Sequence, residues 1–380
     1  VWFTFKVTEW RVKLRREMND QDTDANQKAI DSLLNFETVK YFGAESRQHE
    51  QALHRLAWVE SRSGNVNIAE THFLQALSLR EVIYGKTSQP YANLVKDIRE
   101  FYANQRNIPH TTRFFELEAE VLSALHGATS NQHIAVLADF AKFLLEVARN
   151  KDEAFRVQQA RIALLEQIHG TESITVMNVM VGIAAEFQRA EAYRESVYFH
   201  RKISGIVLAN YDKENTNYAV SLLNLGYLQH YAGNFEEAIP NLKEANRIYI
   251  QNEGLRSPLT IQGLEVLTQV AEKGGFIEIA LETNAQMLQA MEARFGKNHI
   301  RYTNKLIERA LFYQTLDKVD DAIPLIKEAI AIESELDQVS SFYHQYFQVL
   351  GGMLILKLEY DDAEMYLRQG LSFAENQYGY

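Results

Sequence analysis

The chain has 380 residues, of which 46% are hydrophobic and 23% are charged, a balance that is typical of a folded protein and excludes wholesale disorder. Its formal net charge of -11 at pH 7 gives no overall positive field, so neither nucleic acid nor an anionic membrane surface is an expected partner. The absence of cysteine excludes disulfides, thiolate nucleophiles and cysteine-ligated zinc, and the low content of proline and glycine favours helix throughout.

The first predicted element covers residues 1–48 and has no internal repeat. Its stretches VTEWRVKLRREMN and DANQKAIDSLLNFETVKYFGAE, between Val7 and Glu45, resemble the transmembrane domain of the glutathione and heavy-metal ABC exporters of mitochondria and bacteria. The resemblance implies a helical segment at the cytoplasmic end of a membrane-spanning helix. It also implies that Arg11 and Arg15, one helical turn apart, contact an anionic thiol-peptide substrate.

No nucleotide-binding domain is recognisable after this segment. The nearest approach to the phosphate loop GxxxxGK[ST] is Gly85-Lys86-Thr87, but Arg80 stands where the motif requires its first glycine. Neither ATP hydrolysis nor transport is therefore expected from this chain alone. The stretch HEQALH at residues 49–54 is one residue too long for a zinc-binding HExxH, so no metal or cofactor is expected either.

The second predicted element covers residues 49–380 and repeats at a spacing of 41 to 43 residues. Small or polar residues recur at one register, at Ala69, Thr112, Ala154, Ser196, Ala238, Ala280, Ala322 and Ala363. Other small residues stand seven positions later or twelve positions earlier, as at Ala76 and Gly226. Self-similarity at this period is typical of arrays of paired helices, and small residues let two antiparallel helices approach closely.

One period of this array carries a recognisable pattern. The residues LLNLGYLQHYAGNFEEAIPNLKEANRIY at 222–249 resemble a tetratricopeptide repeat. The repeat length, and closing pairs such as Tyr84-Gly85, resemble those of kinesin light chains, and the resemblance covers residues 51–380. It implies an all-α, right-handed α-solenoid of eight helix–turn–helix repeats, preceded by the N-terminal helical segment.

The resemblance implies a cytoplasmic scaffold without catalysis, whose concave groove binds a partner protein or peptide. Two registers on the first helices of the repeats give the candidate groove residues, which are Trp58, Phe101, Phe143 and Tyr227, and, four positions further along, Arg62, Arg189, Tyr231 and Lys273. The alternative is that the aromatic residues fill the core between helices and that the second register is a solvated face. No catalytic, cofactor-binding or metal-binding residues are predicted.

Two alternatives to the scaffold follow from the N-terminal segment. The repeats would either regulate or assemble an ABC exporter at the cytoplasmic face of a membrane, or the chain would be an artefactual junction of a transporter fragment with a repeat protein. The chain begins at Val1 rather than Met and stops at Tyr380, where another repeat would begin. We therefore expect a fragment at both ends.

Overall fold

The computed structural model describes residues 2–336 and 338–378, so the predicted closing residues Gly379 and Tyr380 lie outside it. Within the described ranges the chain forms sixteen α-helices and no strand, which confirms the all-α class. The helices are α1 (Trp2–Arg62), α2 (Val66–Tyr84), α3 (Gln89–Asn104), α4 (Ile108–His126), α5 (Asn131–Glu146), α6 (Lys151–His169), α7 (Ile174–Arg189), α8 (Tyr193–Asn210), α9 (Thr216–Tyr231), α10 (Phe235–Glu253), α11 (Pro258–Lys273), α12 (Ile277–Phe295), α13 (Ile300–Thr315), α14 (Val319–Ser334), α15 (Tyr343–Leu356) and α16 (Tyr360–Tyr378).

The helices follow one another as eight helix–turn–helix repeats, and the chain divides into two compact units, Val1–Leu164 and Leu165–Tyr380. In the first unit α1 packs on α2 and α3 packs on α4. In the second unit the packed pairs are α7–α8, α9–α10, α11–α12, α13–α14 and α15–α16. The predicted all-α architecture of packed helix pairs is therefore confirmed, while the predicted division into residues 1–48 and eight repeats over 49–380 stays a prediction.

The linkers between repeats share a pair of helix-capping residues. Six first helices begin after a residue whose side chain accepts a hydrogen bond from the helix backbone, namely Ser88, Ser130, Ser173, Asn215, Ser257 and His299. Three residues before most of these caps, a glycine with positive φ ends the preceding helix, as Gly85 does for α2. Lys86 and Thr87 thus belong to a linker between two caps, which explains the GKT sequence structurally.

The predicted small-residue register is confirmed in seven repeats and wrong in one. The seven correct residues are at most 2% exposed, whereas Thr112 is only half-buried and its neighbour Thr111 is fully buried. The reason lies in the turns, which have three residues in every repeat except the third. In the third repeat the turn between α5 and α6 has four residues, 147–150. The extra residue of the one 43-residue spacing therefore lies after α5, whereas the prediction of Thr112 placed it before α4.

The helix α1 is continuous across the predicted junction at residue 48, and a buried ion pair ties its second half to α2. Glu50 is 1% exposed, and the Arg80 guanidinium donates from Nε to its Oε1 at 2.8 Å. Arg80 also donates from Nη1 to the carbonyl oxygen of Pro90 at 2.9 Å, which adds the start of α3 to the same contact. In the described ranges no helix is both long and apolar enough to cross a membrane.

Each turn within a repeat contains one residue with a left-handed backbone. In the described part of the chain these residues have φ between 54° and 85°, and they are Gly64, Arg106, Arg149, Glu191, Gly233, Gly275, Asp317 and Leu358. A residue with a Cβ atom is strained in this conformation by roughly 1–2 kcal/mol, and glycine is not. Five of the eight turns therefore carry strain that their glycine counterparts avoid.

Replacing Leu358 by glycine should stabilise the protein. The Leu358 side chain is 70% exposed at φ 64°, so its removal loses little packing while the left-handed strain disappears. After the entropy cost of glycine, we expect the free energy of unfolding to rise by about 0.5–1 kcal/mol, measured by urea denaturation. The control is Leu358→Ala, which removes the same side chain but keeps the strain. An equal gain in both variants would refute the explanation.

Candidate partner-binding surface

The predicted groove residues of the first unit divide between surface and core. Trp58 is half-buried, with its ring edge-on to Phe73 at 5.4 Å, and Arg62 is exposed at the last position of α1. Phe101 is only 1% exposed and its ring lies 5.1 Å from Phe73. Phe143 is half-buried and lies 5.3 Å from the Phe115 ring. The core-filling alternative therefore holds for Phe101.

Phe101 and Phe143 are each one residue away from the register of Tyr227, for the same reason that Thr112 is one residue away from the small-residue register: the extra residue lies in the turn 147–150. Tyr227 lies eleven residues after Thr216, where α9 begins. The residues eleven after the starts of α3 and α5 are Glu100 and Lys142, one position before Phe101 and Phe143. Lys142 is exposed and Glu100 is half-buried, so this register is polar rather than aromatic on α3 and α5.

In the second unit three of the four predicted residues form a regular exposed row, and the fourth, Tyr227, is half-buried. Arg189, Tyr231 and Lys273 are the last residues of α7, α9 and α11, and all three side chains are exposed. A basic residue at the last turn of a helix also complements the partial negative charge of that end. This local role accounts for Arg189 and Lys273 without any ligand, but it does not account for Tyr231.

Tyr231 belongs to a cluster of three tyrosines, Tyr193, Tyr227 and Tyr231. The Tyr193 and Tyr231 rings stack with centroids 5.1 Å apart, and the hydroxyl oxygens of Tyr227 and Tyr231 are 3.1 Å apart. The hydrogen bond to Tyr231, together with burial, raises the pKa of Tyr227 to about 12. Tyr227 is therefore uncharged at neutral pH, and the cluster offers aromatic faces and hydroxyl groups to a ligand.

A groove of about 530 Å³ lies between α11 and α13, with α12 beneath it. The groove lies at the two predicted registers. Gln269 and Leu311 lie eleven residues after the starts of α11 and α13, as Tyr227 lies eleven after the start of α9. Thr315 is the last residue of α13, as Tyr231 is the last residue of α9. The full lining consists of Glu265, Thr268, Gln269, Glu272, Asn284, Met287, Lys305, Glu308, Leu311, Phe312 and Thr315. This groove was not predicted from the sequence, although the repeat spacing from Tyr227 to Gln269 and Leu311 could have indicated it.

The groove is predominantly acidic. The Lys305 ammonium lies 3.1 Å from a carboxylate oxygen of Glu265 and 2.7 Å from one of Glu308. Burial opposes the charge on Lys305, but its hydrogen bonds and attraction to these two carboxylates outweigh burial and raise its pKa. Burial, followed by the charge of Glu308, raises the pKa of the third carboxyl, Glu272. Three carboxyl groups thus face one ammonium group.

The side chains of Arg11 and Arg15 are exposed on α1. Their contact with a transporter substrate, which the resemblance to exporters implies, stays a prediction. Among the residues whose side chains the structure describes, no group of three or more histidine and acidic side chains is arranged to hold a metal ion.

Two family models match the chain. A tetratricopeptide repeat model matches residues 51–90, and a model of anaphase-promoting complex subunit 5 matches residues 187–256 and 278–349. The second match lies within the second compact unit and includes Tyr231 and Leu311.

Curated relatives match over short stretches. The chain is 43% identical over 95 residues to the ATM1-type heavy metal exporter of Novosphingobium aromaticivorans, a stretch of 22% of this chain and 16% of that protein. It is 64% identical over 42 residues to ATP-binding cassette sub-family B member 6 of Xenopus tropicalis, covering 11% of this chain and 5% of that protein. The chain thus spans less than a fifth of either relative.

Solved structures are similar at low sequence identity. BtubC (BKLC) from P. vanneervenii has a TM-score of 0.41 and 16% identity, covering 65% of this chain and 91% of that chain. A putative kinesin light chain of Podosopora anserina with nearly identical TPR-like repeats has a TM-score of 0.44 and 17% identity, covering 53% and 96%. The two resemblances predicted from the sequence, to tetratricopeptide repeats and to short segments of ABC exporters, are confirmed by the repeat model over residues 51–90 and by the exporter matches.

Proposed function

We propose that this chain is a protein-interaction scaffold without catalysis of its own, and that its second unit binds a segment of a partner protein along α7, α9, α11 and α13. The observation that carries the proposal is the groove of about 530 Å³ between α11 and α13, which lies at the same registers as Tyr227 and the exposed Tyr231. Repeats suit this task because equivalent positions on successive helices form one extended surface.

Three further observations support a protein partner. The tyrosine cluster at α9 presents rigid aromatic faces with hydroxyl groups, the kind of side chain that is enriched at protein interfaces. The match to a model named for a subunit of a multiprotein complex lies in this same unit. Residues 51–90, in the first unit, match the tetratricopeptide repeat model, and repeats of this class support a protein-interaction role.

The proposal can be tested by selecting peptides from a random display library against the full chain. The selected peptides should lose binding to Leu311→Trp, because a bulky ring at this groove residue obstructs the groove. Leu208→Trp is the matched control, since Leu208 is 42% exposed on α8 and Leu311 is 39% exposed on α13. We expect affinity to fall about tenfold or more in Leu311→Trp only.

Two results would overturn the proposal. One is a library that yields no peptide with saturable binding to the full chain. The other is a set of selected peptides whose affinity for Leu311→Trp equals their affinity for Leu208→Trp, because their binding would then not involve the groove.

A further inference from the structure

The groove between α11 and α13 contains a carboxylate that no cation neutralises directly. Glu265 and Glu308 share the Lys305 ammonium, and each has an oxygen within 3.1 Å of its nitrogen. Glu272 is half-buried in the same groove, and no ion pair within 4 Å joins its carboxylate to any cation of the described residues. With three carboxylates and one ammonium, the groove has a net charge of -2 when all four groups are ionised.

A second polar side chain lines the groove. Asn284 of α12 is only 6% exposed and lies beside the acidic residues of α11 and α13 in the lining. The groove is therefore polar at its base as well as at its rim, and both Glu272 and Asn284 offer acceptor oxygens.

Part of the remaining lining is apolar and suits the stem of a long side chain. Met287, Leu311 and Phe312 line the groove beside the polar groups. Arginine and lysine bury their methylene stems along apolar surface while their charged ends meet acceptors. The planar guanidinium of arginine has five N–H donors in a fixed arrangement, so it can bond to a carboxylate and an amide oxygen at once, which the ammonium of lysine does less well.

We propose that this groove binds a cationic side chain, an arginine in preference to a lysine, carried by the partner segment. The guanidinium donates to the carboxylate of Glu272 and to the amide oxygen of Asn284, and its stem packs on Leu311 and Phe312. The inference rests on the proposed function, and it adds the chemistry of the partner: a basic peptide segment.

The titration of Glu272 supports this assignment. Burial, and then repulsion by Glu308, raises the pKa of Glu272 in the free protein, while Lys305 only partly offsets them. A bound cation would stabilise the carboxylate and so lower this pKa. The titratable groups that line the groove are Glu265 and Glu272 from α11 and Lys305 and Glu308 from α13. The contribution of Glu272 to binding is therefore complete above its raised pKa and is lost as the pH falls through it.

The test is fluorescence anisotropy on the full chain with two labelled peptides. One peptide alternates arginine and leucine, and the other replaces each arginine by citrulline, which has nearly the same shape but no charge. We expect the arginine peptide to bind about tenfold or more tighter than the citrulline peptide, because only arginine is a charged donor and hydrogen bonds to charged groups are the stronger ones. This preference should decrease as the pH is lowered from neutral.

Two matched variants distinguish binding of the arginine peptide in the groove from nonspecific attraction of a basic peptide to an acidic protein. Glu272→Gln should lose most of the preference for the arginine peptide, together with most of its pH dependence. Glu278→Gln removes the same charge from an exposed position at the start of α12, outside the groove, and should leave both unchanged. Both changes keep the side-chain shape, and unchanged thermal unfolding would verify that each variant is folded.

Equal losses in Glu272→Gln and Glu278→Gln, or equal binding of the arginine and citrulline peptides, would overturn the inference. Such a result would leave the proposed scaffold intact if library peptides without arginine or lysine still lost binding to Leu311→Trp. If no library peptide depended on Leu311, the scaffold proposal itself would fail. The two failures are therefore distinguishable.

Discussion

Replacing Arg80 by methionine should lower the free energy of unfolding of the first unit by about 3–5 kcal/mol, because the change leaves the buried Glu50 carboxylate without its cation. The Glu50 side chain is 2% exposed, and two guanidinium nitrogens of Arg80 lie within 2.8 Å of its Oε1. The substitution also removes the donor to the Pro90 carbonyl oxygen, which links α2 to the start of α3. Urea denaturation followed by circular dichroism measures the loss.

Two controls distinguish a buried pair from a surface pair. Lys86→Met removes a cation 3.4 Å from Glu81, but those side chains are 64% and 44% exposed, so the expected loss is below about 1 kcal/mol. The double change Glu50→Leu with Arg80→Met removes both charges and should recover a large part of the stability lost in Arg80→Met alone. A loss in Arg80→Met no larger than that in Lys86→Met would contradict the prediction.

Replacing Gly226 by leucine should destabilise the second unit by about 1–3 kcal/mol through overpacking. A Cβ atom at Gly226 would stand 2.6 Å from Cγ and 2.8 Å from Cδ2 of Leu242, and 3.1 Å from the carbonyl oxygen of Ala238. The side chain cannot enter unless α9 and α10 separate, and the remaining atoms of leucine would add to the collision. Thermal unfolding of the full chain measures the effect.

Gly182 provides the matched control within the same unit. It lies inside α7, is exposed, and has nothing within 4 Å of the position that its Cβ atom would take. Because leucine favours helix over glycine by roughly 0.5–1 kcal/mol, Gly182→Leu should leave the melting temperature unchanged or raise it. Unchanged unfolding in Gly226→Leu would mean that α9 and α10 are not in close contact at this point.

The repeat and its helix pairing could be predicted from the sequence because small residues are required wherever two helices touch closely. Ala69 and Ala238, for example, are completely buried at the predicted positions. The predicted small-residue position was wrong in the second repeat. Thr111 and Thr112 are chemically equivalent, so the sequence alone does not indicate which of them faces the neighbouring helix. The position of the extra residue in turn 147–150 is visible only from the helix ends.

The candidate site was less predictable, because it depends on contacts between residues far apart in the chain. Lys305 meets Glu265 across forty residues, and Arg80 meets Glu50 across thirty. Neither pair forms a local motif, so no spacing rule indicates it. Tyr231 was correctly predicted to be a surface residue. Phe101 was wrongly placed on the surface, because an error of one residue in the register exchanges a surface position for a core position.

The capping pairs in the linkers have a consequence for how such a chain can grow. Cutting after Asn215 and again after Ser257 isolates one full period, and each cut falls after a residue that caps the next helix. A copy of that period inserted at either cut would find a cap on both sides, so gene duplication could lengthen the protein without inventing a new loop. The same property would let an engineer splice or delete single periods at these points.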